Sequence, residues 1–223
     1  MSITEDHRNA PIALWRVVSR LLITLFNLFG EPQELAFRHT LVARDHKAAL
    51  NWLRTVEALF RKLLLIEASY YAEEVVQQKQ RAGSKRARRL VSFVPESPEA
   101  WRVSFRTNLE CGRSRTHGAV VPMPLHGGRS SAAVEDARAP YLAPTTFHAA
   151  WPLAERFEAL LRVHNNPAPY AKRLARRLYA NAAPIAVIVK EPPELQNRID
   201  PEPHAELAAL LDVRALVFKT NTS

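Results

Sequence analysis

From His46 to Gln80 the chain runs thirty-five residues without a glycine or a proline. Across it Ala49, Trp52, Leu53, Val56, Leu59, Phe60, Leu63, Ile66 and Tyr70 recur at steps of three and four. That is the spacing of one face of an α-helix, and nothing inside the stretch breaks it. At a rise of about 1.5 Å per residue the helix would be on the order of 50 Å long. A rod of this length and apolarity makes it the central helix of its domain. Asp45 is placed to cap its start, and its final EEVVQQKQ turns polar, as a helix does on emerging into solvent.

The other helices are arranged around punctuation. Sixteen prolines stand against six glycines, so the chain is cut into segments and lacks the glycine density of a phosphate-cradling loop. Before the long helix lies IALWRVVSRLLITLFNLFG, Ile12 to Gly30. Trp15, Val18, Leu22, Leu25, Phe26 and Phe29 share one face, while Arg16, Arg20, Thr24 and Asn27 share the other. Asn9 is a candidate cap and Gly30 a terminator. Arg16 and Arg20 inside the segment argue against a membrane span, and Glu5 and Asp6 ahead of it argue against a signal peptide. It reads as a helix docked on a core, or else as one lying on a membrane surface. PQELAFRHTLVAR, from Pro32, reads as short and helical.

Beyond the long helix the pattern changes. Leu90–Val94 and Trp101–Thr107 flank the Pro-rich PESPEA. In the second run Trp101, Val103 and Phe105 alternate with Arg102, Ser104 and Arg106, a period of two that predicts a small hairpin with one apolar and one basic face. Residues 108–147 lose periodicity and read as an irregular linker. Helical spacing returns at Trp151–Val163. It resumes after Pro167, with Asn166 as the expected cap, and again in HAELAALLDVRALVF; APIAVIVK reads as a short strand or extended run. The fold expected is mainly α, with one long central helix, a small β-hairpin, an irregular linker and a second, smaller helical part. Its parts are 1–107, 108–147 and 148–223.

Charge is the strongest functional signal. The net +9 is concentrated. Residues 1–78 are neutral, 79–115 carry +7, 151–190 carry +5 and 191–223 carry −3. Two basic groups follow. Arg81, Lys85, Arg86, Arg88 and Arg89 adjoin Arg102 and Arg106; Lys172, Arg173, Arg176 and Arg177 form a second surface on PAPYAKRLARRL. Lys and Arg in this density suit a polyanion such as nucleic acid, or an anionic lipid surface. Solubility alone is the competing explanation. No helix-turn-helix, zinc finger or RNP pattern accompanies them, so no base-reading motif is present.

Catalytic signals are weak. Cys111 with His117 or His126 has no strand–turn–helix setting for a nucleophile and base. The eight histidines show no metal spacing; His39 and His46 stand seven apart, and the single cysteine rules out a cysteine zinc cluster and an internal disulfide. Glu57 and Arg61, beside Arg54, Lys62, Glu67, Glu73 and Glu74, read as a solvated helix surface with i, i+4 pairing. No cofactor motif is found. The expectation is a soluble, cytoplasmic, non-enzymatic binding or scaffold protein with a basic surface for a polyanion. Alternatives are a peripheral membrane protein using the N-terminal helix, or an adaptor docking a partner through the long helix.

Overall fold

A computed structural model describes residues 8–72, 94–106, 146–181, 183–190 and 192–219. The protein is mainly α-helical, with one two-stranded antiparallel sheet among the described residues. In order, α1 is Ile12–Phe29, α2 Pro32–Phe37, β1 Thr40–Val42 and α3 Ala43–Tyr70. After a 3-10 turn at Pro98–Ala100 come β2 Phe147–Ala149, α4 Trp151–Asn165, α5 Ala168–Ala180, α6 Pro184–Val189, α7 Pro193–Gln196 and α8 Pro201–Lys219.

The long helix is the axis of the fold. Its 28 residues span about 42 Å; the helix ends at Tyr70 with Tyr71 in a turn, and residues 73–80 of the expected continuation lie outside the described residues. α1, α4, α5 and α8 all pack on it, α6 and α7 cover further parts, and α2 packs on α4. The helices before and after the 107–145 interval therefore contribute to a single hydrophobic core. The consequence for α3 is burial on every side: all residues from Thr55 to Ser69 are buried. A helix with apolar neighbours all round is a core helix, and the uninterrupted Leu63–Ile66 run is its sequence mark.

α1 buries Leu14, Trp15, Val17, Val18, Leu21, Leu22 and Leu25; four of these belong to the expected face, whose Phe26 and Phe29 are half-buried. Trp15 meets Phe60 edge-on at 6.0 Å between ring centres, and Phe26 meets Phe157 at 5.0 Å. Ile12, Arg16, Arg20, Ile23, Asn27 and Leu28 remain exposed. By length and composition alone Ile12–Phe37 could cross a membrane, with mean hydropathy 1.6 and 39% of its most apolar window buried in the fold. Gly30 ends α1 with φ 78°, and its N–H donates to Phe26 O at 2.9 Å. This is the left-handed backbone that glycine adopts without cost.

Helix starts depart from the expected caps. Val42 precedes α3 and Asp45 lies within its first turn; Pro11 precedes α1 and Pro167 precedes α5. None of the three carries a side-chain capping bond, so Asp45, Asn9 and Asn166 are not caps. Asp45 still lies where the helix's positive end favours an acid.

The sheet forms where sequence did not place it. β1 pairs with β2, Thr40 opposite Ala149, Leu41 opposite His148 and Val42 opposite Phe147. β1 thus converts part of the segment read as helical. Of the expected hairpin, 90–93 and 107 lie outside the described residues, and 101–106 is not in a strand among the described residues. Its alternation holds nevertheless: Trp101 and Phe105 are buried, and Arg102, Ser104 and Arg106 are exposed. PIAVIV, Pro184–Val189, is helix α6 and not a strand. Pro184 at its start pre-sets a helical φ, and Ile185 and Ile188, three apart, are buried.

Leu25 is fully buried. Leu25→Ala should cost about 2–5 kcal/mol, read as a lowered midpoint in chemical denaturation; a change under about 0.5 kcal/mol, the range of ordinary surface substitutions, would place α1 off the core.

Candidate functional site

Two sets of charged side chains stand out, one buried along α3 and one exposed on α5. The buried set came from the residues read as solvated surface. Glu57, Arg61, Lys62 and Glu67 are all buried, which corrects that reading. The i, i+4 pair exists, with Arg61 Nη2 donating to Glu57 Oε2 at 2.8 Å, but Arg156 of α4 joins it. Arg156 donates from Nε and Nη2 to the two carboxylate oxygens at 2.6 and 2.9 Å. Such a two-pronged bond fixes α4 on α3 in angle as well as distance. Burial pushes Arg61 below its ordinary range, against the pull of Glu57. Arg61 Nε also donates to Arg106 O at 3.1 Å, so a side chain supplies the partner that a neighbouring strand would have given the 101–106 backbone.

Glu67 does the same at the other end of α3. Its carboxylate accepts the backbone N–H of Asn9 and of Ala10, each at about 3.0 Å, and the Trp15 indole N–H at 3.3 Å. Arg8 lies over the Trp15 ring at 4.6 Å and donates to His164 O at 2.8 Å. Asn9 thus contributes its backbone where its side chain was expected to cap.

His164 and Ser19 resemble a base and nucleophile, with Nε2 and Oγ 3.0 Å apart. The hydroxyl proton, however, goes to the Trp15 carbonyl at 3.0 Å, the usual back-bond of a helical serine. With its single proton on the Trp15 carbonyl, the hydroxyl is not held for abstraction by the imidazole. Burial is the main cause lowering the His164 pKa; Arg8 adds to it and Asn165 opposes it. A second histidine pair, His46 and His148, stacks at 4.6 Å and 24° across the junction of α3 and β2. Burial, then His148 and Arg156, lower the His46 pKa. Among the described residues no group of three or more His, Cys, Asp or Glu could hold a metal ion.

The exposed set is α5. Ala171, Leu174, Ala175 and Leu178 are buried, while Arg173, Arg176 and Arg177 are exposed and Lys172 is half-buried. The helix contains no acidic residue. Lys172 Nζ lies 4.8 Å over the Tyr71 ring and the Arg173 guanidinium 5.8 Å from Tyr170. The four predicted cations of this surface are therefore brought together. Arg102 and Arg106 are exposed too, but their segment is fixed elsewhere: at Arg61, about 15 Å along α3 from Tyr71 by helical rise, and at Trp151, 4.7 Å from Trp101. Arg81, Lys85, Arg86, Arg88 and Arg89, with Cys111, His117 and His126, lie outside the described residues.

Glu67→Gln halves the acceptor capacity facing three N–H groups, two of them buried. It should cost about 1–3 kcal/mol in urea unfolding, whereas no loss would show that water replaces the carboxylate. For pH, His46 and His164 are held neutral in the fold below their unfolded pKa of about 6.5. Stability is then full above that value and falls as pH drops below it, because the unfolded chain takes up protons that the folded one refuses. His164→Gln should flatten this acid limb between about pH 7 and 5.5; an unchanged slope would exclude His164. No protein-family model, curated protein or solved structure matches the chain.

Proposed function

We propose that the protein is a non-enzymatic binding or scaffold protein of the cytoplasm that holds a polyanion, nucleic acid foremost, on basic surfaces. Its main support is α5, whose outward face gathers Lys172, Arg173, Arg176 and Arg177 on a helix without a single acid. The leucine face seats this helix on α3, so the cations are presented from a rigid element. Phosphates spaced along a backbone suit such a row, and charge alone gives affinity without sequence preference. The +7 excess of residues 79–115 points the same way.

A second reading draws on α1. Ile12, Ile23 and Leu28 are exposed beside Arg16 and Arg20, the mixture that suits an anionic membrane surface. Arg20 is partly engaged, lying 3.7 Å from Asp200. A protein partner docked through α3 would be confined to its first turns and its last residues, since Thr55 to Ser69 are buried within the fold.

On a duplex of mixed sequence, engagement of about five Lys/Arg of residues 79–115 gives a slope of log K against log salt of about −4 to −5, to which the three arginines of α5 add about −2 to −3. Replacing Arg81, Lys85, Arg86, Arg88 and Arg89 with Ser should remove most binding, and Arg173, Arg176 and Arg177 to Ser should make the slope shallower by about 2–3. Unchanged binding in both variants sinks the proposal. Flotation with anionic vesicles, lost on Ile23→Ser and without retention of nucleic acid, favours the membrane reading instead.

A further inference from the structure

The C-terminal end of α3 is bordered by tyrosines, each faced by a cation. Tyr70 lies under Arg214 of α8, whose guanidinium carbon is 4.2 Å from the ring centre, and Arg214 Nη2 donates to the Tyr70 hydroxyl at 2.6 Å. Tyr71, the residue that ends α3, has Lys172 over its ring at 4.8 Å. Two residues before Lys172 on α5, Tyr170 is met by Arg173 at 5.8 Å. Three helices thus bring three ring–cation pairs to one end of the bundle. The negative end of α3 attracts cations, which accounts for their gathering but not for the rings. Tyr70 is 44% exposed although its hydroxyl and one face are already engaged. A ring clamped on one side and open on the other is a stacking surface fixed before any ligand arrives, so little ordering entropy is lost on binding.

The geometry points to this end of α3 as a binding site for single-stranded nucleic acid, with Tyr70 and Tyr170 as stacking platforms for unpaired bases and Lys172, Arg173 and Arg214 as phosphate contacts. The inference rests on the polyanion reading above and names its ligand class. Aromatic faces interleaved with cations are what unpaired strands exploit, because every base offers a flat face and the phosphates follow a positive track. In a duplex the bases are stacked on each other and beyond the reach of a tyrosine, so only the cations would serve. Val213 and Leu216, exposed on α8 beside Arg214, make an anionic bilayer the competing ligand.

The test is fluorescence anisotropy of the full chain with a labelled oligo-dT of about 20 nucleotides, longer than the roughly 4–16 nucleotides that one binding unit covers. A duplex of equal length and flotation with phosphatidylserine vesicles run in parallel. Wild type should prefer the single strand. Tyr70→Ala and Tyr170→Ala should each weaken it by roughly 5- to 100-fold, leaving the salt slope and duplex binding unchanged. Tyr170→Phe, which keeps the ring, should restore the affinity lost in Tyr170→Ala, and this pair decides the matter if Tyr70→Ala unfolds. Arg173→Ser should weaken single strand and duplex alike. Equal affinity for both strands, or full single-strand affinity in Tyr170→Ala, overturns the inference while leaving the polyanion reading intact. Vesicle flotation without oligonucleotide binding overturns both.

Discussion

A helix buried on all sides must answer for every polar group it carries, and α3 carries Glu57, Arg61, Lys62 and Glu67 between Thr55 and Ser69. Removing such charges from water costs several kcal/mol each unless partners replace it. The partners come from distant parts of the chain: Arg156 from α4, the Arg106 carbonyl, and the backbone of Asn9 and Ala10. The surrounding elements are therefore placed by polar bonds of fixed direction as well as by apolar contact. Apolar packing seats α1 and α4 on α3, and the carboxylates at 57 and 67 add bonds of fixed direction to each.

Much of this architecture is legible in the sequence because helical periodicity is a local property. The long helix, the buried face of α1 and the leucine stripe of α5 follow from spacing alone. So does the sidedness of 101–106, where alternation names the inward residues although no strand is formed among the described residues. What sequence does not show depends on partners far along the chain. Glu67 on a helix looks like surface until residues 52 to 58 positions away bring their N–H groups to it. α6 looks like a strand because Ile and Val favour extended backbone, a weak preference that Pro184 and docking on α3 override. Expected caps at Asn9, Asp45 and Asn166 fail for a similar reason: the helix starts are set by prolines and by the sheet.

The basic face of α5 was readable, and the tyrosines around it were not. Lys172 and Arg173 announce themselves by charge, but Tyr70 and Tyr71 stand about 100 residues before them and Arg214 about 40 after them, beyond any local pattern. The fold converts a row of charge into a surface with flat, oriented rings at one end. Cations packed against aromatic faces lose side-chain freedom and are presented in a defined direction. A diffuse electrostatic attraction thereby acquires geometry.

The small sheet has a meaning for the chain as a polymer. Three residue pairs join β1 to β2, and they close a ring of about 100 residues whose entropy cost grows only with the logarithm of its length. Lengthening the chain between α3 and β2 therefore alters the cost of closure very little, as doubling such a loop adds about 0.6 kcal/mol. The same clasp is a non-local contact, which folding chains reach late. Helices α1 and α3 can assemble from neighbouring sequence first, with β2 and α4 captured afterwards by the exposed edge of β1.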